Sequence, residues 1–377
     1  MFKTTEELSA YVAEIEASEG YERPQAFGIG IAHKDTNGNM LDAFFPVPNY
    51  DCNFTSAAIF AKVLGYRKGT ATYTLTETQL NYVLNHFAVF AGDGKVHANI
   101  DAIAAICKNF PTSADRAVIV SFIGAKGSDE GTCGVGDIYL RLHLLSYRLV
   151  LPNTIGVSPG AIMPKLLNVA WTSEGPIAVG EVNERILAAR LRGEPLRVYG
   201  VDKLPHMTDY VVPSGVRIAD SARVRLGAYV GAGTTVMPSG FINFNAGTRG
   251  EAMIEGRVSQ GVIVGDKSDL GGAASIQGTM SGGSKVVVEI GERTLIGALA
   301  GTGISLGDDC IVAAGVYIMP SNTLDMFNSH GKFMHTISAY ELSGQNGLLF
   351  KRASDGSLEV HPNMKAVELN PLLHANN

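Results

Sequence analysis

The sequence predicts a mixed architecture: an N-terminal α/β domain over residues 1–200, a left-handed parallel β-helix of hexapeptide repeats over 201–320, and a C-terminal extension with a β-hairpin over 321–377. Three observations predict it. Aliphatic residues recur every six positions between Ile218 and Ile318, helical and strand-like runs replace that period upstream, and two short apolar runs flank Asp355-Gly356 downstream.

In chain order, Thr4 with Glu7 three residues later reads as a capping box, and Leu8, Tyr11, Val12 and Ile15 follow at helical spacing, so a short helix opens the chain. Ala26–Ala32 and Ala117–Ile123 read as buried strands. Glu77–Phe90, Ile100–Cys107, Ile138–Leu149 and Val182–Leu191 read as helices. Gly28 and Gly30 lack the third glycine of a dinucleotide loop and a helix start after it, which disfavours nucleotide binding there. Pro195–Pro205 reads as a linker into the repeats.

The repeats run Ile218, Val224, Val230, Val236 and Ile242, let Thr248 stand in once, and close on Ile254. A second series is Val258, Val264, Leu270 and Ile276; a third is Ile290 and Ile296; a fourth is Leu306, Val312 and Ile318. A period of six is neither helical nor simply alternating, and it is the signature of a parallel β-helix. Each unit makes one flat face and three faces close a coil, so the aliphatic residue points inward and stacks on its counterpart one coil away. Burial along that column, at about 25 cal/mol per Å² of apolar surface, holds together units that are unstable alone. Gly227, Gly231, Gly265, Gly271, Gly291, Gly297 and Gly307 mostly follow the aliphatic position, where a corner needs little side chain or a positive φ. The phase slips by four from Ile254 to Val258, between Ile276 and Ile290, and between Ile296 and Leu306. A regular coil is smooth, so a slip is where its surface acquires a pocket. Past Ile318 the repeat stops, and Leu348–Ser354, Asp355-Gly356 and Ser357–Val360 read as a hairpin with a primed turn.

At 377 residues there is room for the repeat body and a further domain, and a net charge of −6 without a basic stripe argues against a general nucleic-acid binder. The polar opening MFKTTEELSA and the absence of a long apolar run point to a cytoplasmic protein without a membrane partner. Cys52, Cys107, Cys133 and Cys310 lack CxxC spacing and read as reduced thiols.

Hexapeptide coils serve as CoA-dependent acyltransferases, as zinc carbonic anhydrases and as passive scaffolds. None of the nine histidines lies in the repeats, which disfavours zinc ligation and a histidine general base there. A base on the coil must be a carboxylate. Asp220, Glu251, Asp266, Asp269, Glu289, Glu292, Asp308 and Asp309 fit solvated corners, whereas Glu255 sits at the first slip, between Ile254 and Gly256-Arg257. Glu255 is therefore the catalytic candidate, against a structural alternative in which it forms a salt bridge that pins the bulge.

Four strings carry a resemblance: His206-Met-Thr-Asp-Tyr-Val-Val-Pro-Ser-Gly-Val-Arg-Ile-Ala-Asp, Gly240-Phe-Ile-Asn-Phe-Asn-Ala-Gly-Thr, Met253-Ile-Glu-Gly-Arg-Val-Ser and Gly303-Ile-Ser-Leu-Gly-Asp-Asp-Cys. From about Asp202 onward the chain resembles the tetrahydrodipicolinate N-succinyltransferases, in their longer form with a large N-terminal domain; before that it matches in general layout. The resemblance implies a homotrimer that moves a succinyl group from succinyl-CoA to the open-chain amino form of tetrahydrodipicolinate, on the way to diaminopimelate and lysine. It implies that Glu255 is the active-site residue and that Arg257 contacts succinyl-CoA. It places Gly272, Ser275, Ala298, Ala313 and Ala314 along the CoA channel and Lys351, Arg352, Ala353 and Ser354 at the end of the cofactor. Small side chains leave a groove for a pantetheine arm, and a cationic pair such as Lys351 with Arg352 suits a phosphate.

Two acidic positions that hold metal in actinobacterial members correspond to Ala222 and Ser239, so no metal is expected. A cofactor-contacting lysine of the family corresponds to Ser338, beside an insertion between Asn322 and Thr336 that contains Lys332. An acetyl-CoA-dependent N-acetyltransferase of the same fold and a non-catalytic hexapeptide scaffold are the alternatives.

Overall fold

The computed structural model describes residues 2–91, 94–125, 131–280 and 285–369. The chain divides into two units, one made of Met1–Leu144 and Gly156–Pro205, the other of Leu145–Ile155 and His206–Asn377.

In the first unit, α1 (Thr5–Glu16) starts where Thr4 accepts the backbone N–H of Glu7, but the Glu7 carboxylate reaches back to Lys3 and leaves Thr4 aside, so only half of the expected capping box forms. The sheet consists of β1 (Ala26–Lys34), β2 (Met40–Phe44), β3 (Asn49–Tyr50), β4 (Ala71–Thr74) and β5 (Arg116–Ile123), ordered β2-β1-β5-β4 with β3 also on β1, and every pairing is antiparallel. Phe27, Ile29, Val118, Val120 and Phe122 point into one core with α1, α2 (Phe54–Leu64), α3 (Glu77–His86) and α4 (Ala98–Lys108). The helix read over Glu77–Phe90 breaks at His86 into a 3₁₀ turn over Phe87–Phe90, and α2 was not read from the sequence.

Helix α5 (Val135–Ser146) has Leu140 against Gly28, and the Gly28/Gly30 pair exists for that packing. A Cβ on Gly30 would stand 2.3 Å from the Phe44 carbonyl oxygen, and one on Gly28 would stand 2.9 Å from the Phe45 ring. The Pro195–Pro205 linker is corrected by the structure: β6 (Val169–Thr172) and β7 (Gly175–Ala178) form an antiparallel pair, and Val198–Asp202 joins them as β8. Its alternation of exposed Val and Tyr gave no half-buried pattern to read.

The second unit is the coil, and its three faces carry parallel strands two or three residues long. The first face stacks 217–218, 235–236, 252–254, 268–270, 295–296 and 311–312; the second 241–242, 257–258, 275–276, 301–302 and 317–318; the third 229–230, 247–248, 263–264 and 289–290. From Val224 to Ile318 every aliphatic residue of the period is 4% exposed or less. Thr302 also occupies an inward position, paired with Ile276 and Ile318, so the third slip falls between Thr302 and Leu306. Thr302 and Thr248, at inward positions of the column, satisfy their hydroxyls: Thr302 donates to the Ile304 carbonyl at 2.7 Å, and Thr248 accepts the Gly231 N–H at 2.9 Å.

The column does not end at Ile318. Leu348–Arg352 adds to the first face with Phe350 beneath Val312, and Leu358–Pro362, Thr323–Phe327 and Phe333–Ser338 continue that sheet outward. The hairpin turn differs from the primed type. Only Gly356 has a positive φ, 94°, and its N–H bonds the Ala353 carbonyl, so the loop is a four-residue turn closed by a left-handed glycine. The segment 145–155 belongs to this unit through Asn153, which bonds Asn245 through both side chains and the Gly261 carbonyl.

His143, on α5, is fully buried with its Nε2 accepting the Phe45 N–H and its Nδ1 on the Tyr139 carbonyl, which makes it a neutral ring. Burial pushes its pKa down to about 4 from the ordinary 6.5. The unfolded chain therefore binds the extra proton first, and the stability present above pH 6.5 is lost as pH falls toward 4. Between pH 7 and pH 5 the loss should reach about 2 kcal/mol. Denaturant midpoints across that range should show it, and His143→Gln should flatten the slope.

Candidate functional site

The first slip makes a corner between the first and second faces that is two residues shorter than the corner one coil before. Ile254 ends one strand, Arg257 begins the next, and only Glu255 and Gly256 turn between them. The backbone there is held on both sides. Glu255 N–H bonds the Leu270 carbonyl at 2.8 Å, Arg257 N–H bonds the Ala274 carbonyl at 2.8 Å, and the Gly256 carbonyl accepts Phe241 N–H at 2.9 Å. The Ser239 hydroxyl donates to the Glu255 carbonyl at 3.1 Å. Gly256 has no alternative at this corner, because a Cβ there would stand 2.3 Å from the Ala274 carbonyl oxygen.

The side chains at this corner are uncommitted. Neither the Glu255 carboxylate nor the Arg257 guanidinium forms a hydrogen bond or ion pair among the described residues, and the salt bridge that would have pinned the bulge is not formed. Several other carboxylates of the coil have structural work. Asp266 accepts the Glu251 N–H at 2.7 Å, Asp308 accepts the Glu292 N–H at 2.8 Å, Asp220 accepts the Ala222 N–H, and Asp309 pairs with Arg293 at 2.8 Å. Glu255 Oε2 lies 3.5 Å from where a Gly272 Cβ would be, so the carboxylate runs along the corner toward the next coil.

Strand register places the other candidates. Ile254, Leu270, Ile296, Val312 and Phe350 are in register, so Glu255 aligns with Gly271, Gly297, Ala313 and Lys351 on successive coils. Gly272, Ala298, Ala314 and Arg352 stand one residue later at the same corner. Four steps at about 4.8 Å each make roughly 19 Å from Glu255 to Arg352. Arg257 and Ser275 are direct partners on the second face beside this edge, in a row that runs Phe241, Arg257, Ser275, Gly301, Tyr317. Gly297, expected as a corner glycine, lets the coils approach, since a Cβ would stand 2.7 Å from Ala314 N. One feature of this edge was not read from the sequence: the Tyr317 ring lies over Gly301, leaving no room for a side chain there.

The far end is more constrained than its sequence suggests. Lys351 Nζ pairs with Glu359 at 3.1 Å, the same Glu359 oxygen accepts His361 Nε2 at 2.8 Å, and Arg352 donates to the Gly356 carbonyl at 2.7 Å. The His361 bond, with Lys351 adding to it, holds the Glu359 carboxyl below its usual range. Ala353 and Ser354 form the hairpin turn. Ser338 caps the 3₁₀ turn Ala339–Leu342, and Lys332 sits exposed at the tip of the 323–338 hairpin. Ala222 lies in a 3₁₀ turn, and Ser239 braces Glu255 as described. Among the described residues no group of three His, Cys, Asp or Glu could hold a metal ion.

Chemically, the corner offers an unpaired carboxylate beside an unpaired guanidinium, at one end of an open edge of small residues that finishes in two cations.

Comparison with known proteins agrees along the chain. The family model described as tetrahydrodipicolinate N-succinyltransferase N-terminal matches residues 6–158, its middle counterpart matches 166–206, and the hexapeptide repeat of succinyl-transferase matches 287–320. The 2,3,4,5-tetrahydropyridine-2,6-dicarboxylate N-succinyltransferase of Pseudomonas putida is 43% identical over 353 residues, covering 93% of this chain and 98% of its own. That of Vibrio cholerae is 44% identical over 93% of this chain and 99% of its own. A crystal structure of a Campylobacter jejuni protein assigned as 2,3,4,5-tetrahydropyridine-2-carboxylate N-succinyltransferase superposes with a TM-score of 0.88 at 32% identity, over 98% of this chain and all of that one.

Gly256→Ala should drive a methyl into the Ala274 carbonyl and cost about 1–3 kcal/mol. A urea midpoint unchanged from wild type would show that the corner has slack the geometry does not reveal.

Proposed function

The chain belongs to the tetrahydrodipicolinate N-succinyltransferase family, and we propose that it moves a succinyl group from succinyl-CoA to the amine of tetrahydrodipicolinate, in its open-chain 2-amino-6-oxopimelate form, in diaminopimelate and lysine biosynthesis. The observation that carries this is the near full-length match, in both directions, to relatives bearing that name. We further read the enzyme as a cytoplasmic homotrimer with no resident metal at Ala222 and Ser239. That no helix among the described residues is long and apolar enough to cross a membrane accords with this.

In this reading the thioester carbonyl of succinyl-CoA sits by Glu255, and the pantetheine arm lies along Gly272, Ala298, Ala313 and Ala314 with Ser275 at its side. The phosphate end reaches Lys351, Arg352, Ala353 and Ser354, about 19 Å away along four coil steps. Lys351 must there exchange some of its attraction to Glu359 for the phosphate. Arg257 faces the succinyl carboxylate as a charge-assisted donor. The substrate amine is an ammonium at neutral pH and cannot attack until it loses a proton, which Glu255 accepts. The amine nitrogen then bonds the carbonyl carbon, the C–S bond breaks, and the CoA thiolate leaves and takes up a proton. That neither Glu255 nor Arg257 is tied to another side chain supports these roles, since both are available to substrate. A second route has Glu255 take the succinyl group as a mixed anhydride first, and trapping an acylated Glu255 would reveal it.

The test is thiol release from succinyl-CoA with tetrahydrodipicolinate present, with acetyl-CoA run beside it; a higher rate with acetyl-CoA would turn the assignment to an acetyltransferase. Glu255→Gln should lower turnover by roughly 10² to 10⁴, about 3 to 5 kcal/mol of barrier, with the assembly intact. Near wild-type turnover would remove Glu255 from the chemistry. Lys351→Ala with Arg352→Ala should raise the KM for succinyl-CoA severalfold and spare kcat; an unchanged KM would make them a solvated pair.

A further inference from the structure

The N-terminal unit contains a second set of titratable groups that the chemistry above does not use. His33 is paired in register with Asp42 on β2 and with Arg116 on β5, so the three stand in one row across three strands. Asp42 is 1% exposed, and its Oδ1 accepts both the backbone N–H of His33 at 3.0 Å and the ring Nδ1 at 2.8 Å. A buried carboxylate on Nδ1 fixes the orientation of the ring and leaves Nε2 as its open atom. Nε2 has no hydrogen-bond partner among the described residues, and it faces Gly175, where even a Cβ would remain 3.9 Å away.

The row borders a cavity of about 580 Å³ enclosed by β1, the residues leading into β5, and the segment from Glu174 to Arg185. That is within the size range of small-molecule pockets. Its charges are unequally engaged. The Asp35 carboxylate is taken by Asn37 and Asn39 in its own turn, Glu181 by the N–H and hydroxyl of Thr36, and Glu174 by Arg185 and Arg192. Asp115 is held below its usual range chiefly by the Ser113 hydroxyl, with Arg116 nearby contributing less. Lys34 and Arg116, which also line the cavity, form no ion pair within 4 Å among the described residues. The acids are thus satisfied by the protein, and the donors are not. Lys34 and Arg116 are therefore the charges of the lining still open to a ligand, and they suit an anionic group.

We propose that this cavity binds a small anion through a carboxylate or phosphate group, with Arg116 and Lys34 as its charged donors and the His33 ring beside them on the wall. It is separate from the succinyl-transfer chemistry and does not depend on that assignment. Arg116 provides bidentate charge-assisted bonds and Lys34 a further one, and Asp42 keeps the imidazole oriented without competing for the ligand.

The test is calorimetric titration of the full chain with succinate and, separately, with inorganic phosphate. Saturable binding of either that depends on Arg116 and Lys34 supports the site, and the stronger of the two identifies the group it takes. Arg116→Met and Lys34→Met, both at accessible positions, should each weaken that binding roughly tenfold or more, while Lys62→Met, exposed in the last turn of α2, leaves it unchanged. His33→Gln, which removes the imidazole, should weaken it as well. No binding of either anion, equal binding by Arg116→Met and Lys34→Met, or loss of binding in Lys62→Met in place of the others would overturn the proposal.

Discussion

The spacing between coils, about 4.8 Å, is the constraint on which the second unit depends. At that distance two backbones pass so closely at a corner that most side chains are excluded. A Cβ on Gly265 would stand 2.4 Å from the Gly291 backbone, and one on Gly271 would stand 2.7 Å from Ala298 N. A regular coil is therefore smooth as well as stable, since the same contact that stacks the aliphatic column also strips the corners. Chemistry requires a corner that departs from the rule without breaking the stack. The deletion between Ile254 and Val258 does this. Gly256 absorbs the close approach, the neighbouring backbones bond across it, and Glu255 is left facing out over Gly272.

Commitment of charge sets the candidate groups apart from the structural ones more sharply than residue type. The coil contains many carboxylates, and those at its third-face corners cap backbone N–H groups of the preceding coil, as Asp266 does for Glu251 and Asp308 for Glu292. A charge used in this way lowers the cost of an exposed turn and has little left for a ligand. Glu255 and Arg257 are adjacent opposite charges that do not pair, so both remain available. Lys351 is intermediate, because it is shared with Glu359 and His361. The same accounting in the first unit distinguishes Lys34 and Arg116 from the acids around them.

Much of this was legible in the residues. The six-residue column, the slip that isolates Glu255 and the helix Val182–Leu191 are periodic or local, and each is found where its spacing puts it. The misreadings share a cause. Thr302 is inward although polar because its hydroxyl bonds Ile304 locally, which no hydropathy pattern reveals. Val198–Asp202 is a strand because β6 pairs with it, and its own exposed side chains carry no alternation. Asp355-Gly356 suggested a two-residue turn, yet only the glycine adopts the left-handed conformation, so the turn takes two further residues from the strand ends. The engagement of Glu359 is not legible locally, because Lys351 meets it only across a paired strand, with His361 two residues along its own strand.

The sequence by itself determined the repeat, its inward column, the short corner and the residue types at that corner, because all of these follow from spacing along the chain and from what each side chain can bury or ionise. Only the tertiary structure decided which charges are already spent and how the candidates line up. Gly272, Ala298, Ala314 and Arg352 are scattered over 80 residues, and they share one edge with Glu255 because parallel strands stack in register. His33, Asp42 and Arg116 share a row through the register of antiparallel strands. Register is a property of paired backbones, and pairing between distant segments leaves no local periodicity to read.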